Sequence, residues 1–168
     1  MTKVSTGPFT HEGLERLHAW VHDCLDEMIA HVDTMPAPLL GTSVPGFGHA
    51  TLREQLLHVL QVETGWMGLL RGAPPGPAWD PSDYPTLTRI VAAKRDVVAT
   101  TRADLAAFTP ETLNEVLTKA PDGWRGEVRS PAFVLLHVLT HACHHKGQMA
   151  TMCRQLGHPA PDTDMQRT

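Results

Sequence analysis

The sequence predicts an all-α fold: a four-helix bundle with a small hairpin or irregular insertion before the last helix. Three observations carry this. Apolar residues recur at three- and four-residue spacing over four long stretches, the pattern of helices with one buried face. Clusters of proline and glycine separate those stretches. Each stretch runs to about 20 to 28 residues, the length of a full bundle helix.

The first helix is expected from about Thr10 to Met35, where Pro36 and Pro38 stop it. Leu14, Leu17, Val21, Leu25, Met28, Ile29 and Val32 give it one apolar side. After the loop GTSVPGFGH, a second helix spans about Ala50 to Leu70 and ends before GAPPGPAWDP. A third is expected to start near Ser82 or Asp83, either of which suits an N-cap, with Pro85 in the first turn, and to reach Phe108. TPETLNEVLTKA reads as a short helical or extended piece. PDGWRGEVRS reads as a turn flanked by short strands, since Asp-Gly suits a tight hairpin. The fourth helix has Ser130 as N-cap, Pro131 at its first position and Gly157 as its stop.

The chain has 168 residues, which predicts one domain over residues 1–168. Apolar residues make up 42% and charged residues 19%, an ordinary globular balance. No apolar stretch is long enough to span a bilayer, and MTKVSTGPFTHEGLERL lacks the apolar region of a secretory signal. The expectation is a cytoplasmic protein away from membranes. Cys24, Cys143 and Cys153 are odd in number and form no CxxC, so buried thiols are expected rather than a disulfide framework or zinc ribbon. The formal net charge is −4 and no lysine/arginine tract occurs, which argues against nucleic acid as a partner. There is no nucleotide-binding glycine loop and no Gly-x-Ser-x-Gly elbow. Histidine is the unusual residue: there are eleven, and His137, His141, His144 and His145 crowd one stretch of the last helix.

On a helical wheel with His137 at zero, the apolar residues Val134 to Leu156 centre near about 115°. His145 falls at roughly 80° and His141 at roughly 40°, on or beside the buried face. His137, at about 0°, and His144, at about 340°, belong to the rim or to solvent. Histidines at i and i+4 on one face lie a turn apart and can bind one ion. Imidazole suits zinc, nickel, iron or copper, and bundle cores take ligands from facing helices. His58 lies on the second helix, one turn from Val62 and two from Trp66, at the edge of an apolar stripe. By periodicity alone a hydrogen-bonded structural histidine is the stronger reading there.

His18 and His22 form a second HxxxH on the first helix, about 40° and 80° from the centre of its apolar face. His18 could reach the core as a fourth ligand or pocket wall, but the pattern favours two partly exposed histidines flanking the core. Trp20, Trp66, Trp79 and Trp124 read as core or loop anchors rather than a substrate cage.

Three segments carry a family likeness. The last helix holds His141-Ala-Cys-His-His145-Lys146-Gly147-Gln148, followed by Leu156-Gly157-His-Pro-Ala-Pro161-Asp-Thr-Asp164. The second helix carries Leu56, Leu57, His58, Glu63 and Trp66. With these segments the chain resembles, over nearly its whole length, the DinB/YfiT-like superfamily of metal-dependent four-helix-bundle proteins, which shares only a name with a DNA polymerase. The resemblance implies that His58, His141 and His145 bind one divalent transition metal such as zinc, nickel or iron. Lys146 departs from the usual arginine, keeping the charge without the forked donors. Glu63 and Gln148 are candidates to orient an imidazole.

Three histidines leave room for water or substrate, the ligand count of a catalytic rather than structural site. The resemblance further implies a metal-dependent enzyme, such as a transferase or isomerase that uses a low-molecular-weight thiol (bacillithiol, mycothiol or glutathione) on a small-molecule substrate. It also implies a homodimer, and it identifies no separate general base. The alternatives are a non-catalytic metal-binding stress-response protein and a metal-dependent hydrolase.

Overall fold

The computed structural model describes residues 8–74, 76–124 and 126–162. Four long helices dominate: α1 (His11–Asp33), α2 (Leu52–Leu70), α3 (Leu87–Ala107) and, after the short α4 (Pro110–Asn114), α5 (Pro131–Gln155). Two 3-10 turns, Ala37–Gly41 and Pro81–Asp83, lie in the loops before α2 and α3. Among the described residues there is no strand. No described helix is long and apolar enough to cross a membrane.

Each long helix starts on a hydroxyl cap that takes up a backbone N–H otherwise left without a partner. Thr10 accepts from Gly13, and Ser130 accepts from Phe133. Thr51 accepts from Glu54, whose carboxylate reaches back to the Thr51 N–H in a capping box. The third helix begins on Thr86, not on Ser82 or Asp83. Tyr84 precedes Pro85, whose ring disfavours helical backbone for the residue before it, and Tyr84 adopts φ −123° and ψ 59°. The Asp80 side chain instead closes a separate turn by accepting from Ser82. Pro85 therefore stands outside the helix.

The expected hairpin is a turn without strands. Trp124 N–H donates to the Pro121 carbonyl at 3.0 Å, with Gly123 at φ +88°. At the end of α5, Gly157 takes φ +83°, and its N–H and that of His158 bond the carbonyls of Arg154 and Cys153. The His158 carbonyl then accepts from His31 Nε2 at 3.0 Å, which ties the end of α5 to the last turn of α1.

Packing runs in a ring: α1 against α5, α5 against α2, α2 against α3, and α3 against α1. This places α1 and α2 on one diagonal of the bundle. Met28, Leu52, Ile90, Leu135, Met149 and Met152 are fully buried between the four helices. The buried polar side chains His18, His22, Gln55, Glu63, Thr101 and His145 share that interior. They define the chemistry described next.

Candidate metal centre

The helix α2 presents Gln55 and His58 one turn apart, and α5 presents His141 and His145 one turn apart, across the α2–α5 contact. The three histidines converge. Ring centroids are 4.9 Å apart for His58 and His141, 4.7 Å for His58 and His145, and 4.4 Å for His141 and His145. One ring nitrogen from each lies within 4.8 Å of the other two, so the group could hold a metal ion. His145 is buried, while His58 and His141 are half-buried and give the centre an open side.

Burial disfavours the charged imidazole, and crowding by other histidines adds to it. Burial, then His141, His58, His144 and His49, bring the pKa of His145 down to about 3. Burial, then His58, His137, His144 and His49, bring that of His141 down to about 4. Burial and then His49 lower that of His58. These three imidazoles are therefore neutral near pH 7, the form that ligates metals.

Gln55, fully buried on α2, sets the orientation of His145. Its Nε2 donates to the His49 carbonyl at 2.7 Å and to Gln148 Oε1 at 2.9 Å. A backbone carbonyl can only accept, so the amide orientation is fixed and Oε1 must face His145. There it accepts from Nδ1 at 2.6 Å. With the proton on Nδ1, the lone pair of neutral His145 is on Nε2, which points at His141 Nε2 from 3.1 Å. Two lone pairs at that distance repel, so a proton or a cation belongs between them. His141 Nδ1 is buried without a hydrogen-bond partner among the described residues. The donor set and the tautomer of His145 fit a divalent transition ion.

His144 and His137 are exposed, as the wheel indicated. His144 Nε2 meets Gln148 Nε2 at 2.7 Å, and His137 packs edge-on to Trp66 at 5.4 Å. Sequence reasoning missed Gln55 and His49. His49, in the loop before α2, stacks on His58 with centroids 3.9 Å apart and planes 25° apart. Gln148 reaches His145 through Gln55 rather than by a direct bond among the described residues.

Glu63 does not orient a ligand of this centre. It accepts from His18 Nε2 and His22 Nε2, each at 2.9 Å, and from the Thr101 hydroxyl at 2.7 Å. His18 and His22 are consequently buried, 0% and 3% exposed, instead of flanking the core. Burial would raise the Glu63 pKa, but the hydrogen bonds from His18 and His22 outweigh it and hold the carboxyl well below its usual range. His18, His22 and Glu63 form a second group whose atoms could hold a metal ion.

Trp20 and Trp79 pack against the core, as expected of anchors. Trp66, Trp79 and Trp124 line a cleft of about 660 Å³ together with Gln61 and Gly65. Trp66 and Trp124 meet edge to face at 5.1 Å, and a smaller cleft beyond them reaches His137. None of the three cysteines joins either metal-capable group. Burial raises the pKa of all three thiols.

The sequence model of the DinB family matches residues 42–168, which include all three converging histidines. The chain belongs to the DinB family. Two solved structures share the fold of this DinB-family protein. A DinB-like protein from Bacillus cereus is 22% identical with a TM-score of 0.61, over 90% of this chain and 95% of that one. A protein from Streptococcus pneumoniae is 15% identical with a TM-score of 0.61, over 89% of this chain and 91% of that one. No curated protein matches the chain.

Proposed function

We propose that this DinB-family protein is a metal-dependent enzyme acting on a small molecule, with His58, His141 and His145 holding one zinc, nickel or iron ion. The observation that carries the reading is the convergence of three neutral imidazoles from α2 and α5, one buried and two half-buried. A three-histidine site with an open side has the ligand count of catalytic rather than structural centres. Such an ion, when bound, would favour the thiolate of a low-molecular-weight thiol over the thiol at neutral pH.

The chain's own residues supply the rest. Gln55 holds His145 in the tautomer that offers Nε2. His49 covers one face of His58. The cleft walled by Trp66, Trp79 and Trp124 offers an apolar, aromatic surface to a substrate. Trp66 packs on His137, one turn of α5 from His141, which sets that surface beside the metal-capable group.

The test uses untagged protein loaded with cobalt or nickel. The visible spectrum should shift when bacillithiol, mycothiol or glutathione is added, and thiol-plus-electrophile mixtures should turn over. Turnover of esters or amides with no thiol-dependent shift would replace the transferase reading with hydrolysis. A spectrum unmoved by every thiol, with no turnover, would favour a non-catalytic metal-binding protein.

A further inference from the structure

We propose that His18, His22 and Glu63 form a second metal site, holding one divalent transition ion on the axis of the bundle. The residues come from α1 and α2, helices on a diagonal, so their side chains meet in the middle of the core. Glu63 follows His58 by five residues, which turns it about 140° away around α2. The two groups thus occupy different sides of the same helix, and neither borrows a ligand from the other. His18 and His22 precede the residues matched by the family model, which reaches only Glu63 of this group.

Composition and charge point to an ion. Two imidazoles and a carboxylate, all buried, bring their ligand atoms within 4.8 Å of one another. Bundle cores hold metals through such inward-facing histidine and glutamate side chains from facing helices. His18 Nε2 faces Oε1 and His22 Nε2 faces Oε2, each at 2.9 Å, so the carboxylate spreads both oxygens toward the two rings. Thr101 donates to Oε1 at 2.7 Å and fixes the carboxylate plane, the part an outer-shell partner plays at metal sites.

The carboxylate is 1% exposed, and a buried charge requires a counter-charge. The described ion pairs of Glu63 are with these two histidines alone. Protonating either ring would supply a charge, but Nδ1 of both rings is buried without a hydrogen-bond partner among the described residues. The Nδ1–H lacks an acceptor on an imidazolium and on a neutral ring that ligates through Nε2 alike, but only the imidazolium adds a full positive charge on the ring itself. A divalent ion among the three ligands neutralises the carboxylate with both rings neutral.

The experiment counts ions on the full chain, unfolded in chelator, refolded with zinc and dialysed, by elemental analysis. Wild type should carry two ions, and His145→Ala and Glu63→Gln should carry one each. Release to EDTA should be biphasic. The slow phase, from the enclosed site, should persist in His145→Ala and vanish in Glu63→Gln. If Glu63→Gln fails to refold, the count and slow phase in His145→Ala still decide the matter. One ion in wild type and none in His145→Ala would overturn the proposal and leave the three-histidine reading standing. One ion that survives His145→Ala but not Glu63→Gln would support the proposal and overturn that reading. Two ions in Glu63→Gln, or none in wild type, would overturn it.

Discussion

Gln55 Oε1 accepts from His145 Nδ1 at 2.6 Å, and this bond decides which nitrogen of His145 is offered to a metal. Outer-shell partners of this kind are worth about 10- to 100-fold in metal affinity. Gln55→Leu keeps the volume but removes the acceptor, so metal binding should weaken by about that range. Competition against a chelator measures it. Wild-type affinity in the variant would show that helix packing alone orients the ring.

Among the histidines, the structure separates inner from outer. His141→Ala and His145→Ala should each empty the three-histidine site, and His58→Gln should weaken it sharply and raise chelator sensitivity. His137→Ala and His144→Ala should bind nearly as wild type, because both rings are exposed. An emptied site in His144→Ala with retention in His145→Ala would reverse the assignment of inner and outer rings.

His141 and His145 were legible from sequence because both sit on one helix, where a wheel measures their direction. His58 was not legible that way. Only the family pattern singled it out, since its partners lie more than 80 residues downstream and no local periodicity reports them. Gln55 was invisible for the same reason, and His49 because it sits in the loop before α2, where no periodicity reports its direction. His18 and His22 were misjudged because a hydrophobic pattern treats every polar side chain as exposed unless its partner is known, and that partner, Glu63, is on another helix. The third helix was begun too early because Ser82 and Asp83 are good caps in isolation, while Pro85 bars the helix just after them. The four-helix architecture itself was readable, since apolar spacing and proline stops report it locally.

The Thr101 hydroxyl gives a stability test free of the three-histidine ligands. Thr101→Val keeps the shape but deletes a buried bond to the Glu63 carboxylate. Hydrogen bonds to charged groups contribute about 1.5–3 kcal/mol, so urea unfolding should show a loss of that order. A loss within about 0.5 kcal/mol would mean that Glu63 is held by the two histidines alone.

Acid should destabilise the metal-free protein through His141 and His145 before it protonates Glu63. His141 and His145 are held at about 4 and about 3, below the ordinary value of 6.5, so between those limits the unfolded chain binds more protons than the folded one. Stability must then rise with pH in that window and fall as pH drops through it. Glu63 adds a second loss at lower pH: its folded pKa is depressed, so its contribution is present above the ordinary value of 4.5 and fades below it. Melting temperatures of the apoprotein should drop from pH 6.5 to pH 5, and less so in His141→Asn. An equal drop in both would assign the effect to other groups.

Metal retention against acid distinguishes an imidazole site from a thiolate one. Protons and the ion compete for the same ring nitrogens, so the three-histidine site should empty cooperatively as pH falls, with several protons taken up together. The cysteines could mimic such a curve only as ligands, and the structure gives each of them a reason not to be. Cys24 and Cys153 are buried in the core, Cys143 is half-buried on α5, and burial raises the pKa of all three, which keeps them protonated near neutrality. Replacing all three with alanine should therefore leave the release curve from pH 8 to pH 4 unchanged, with the fold checked by circular dichroism. Superimposable curves support ligation by His58, His141 and His145. Loss of the ion at pH 8 in a folded triple variant would make at least one thiolate a ligand and sink the all-histidine centre.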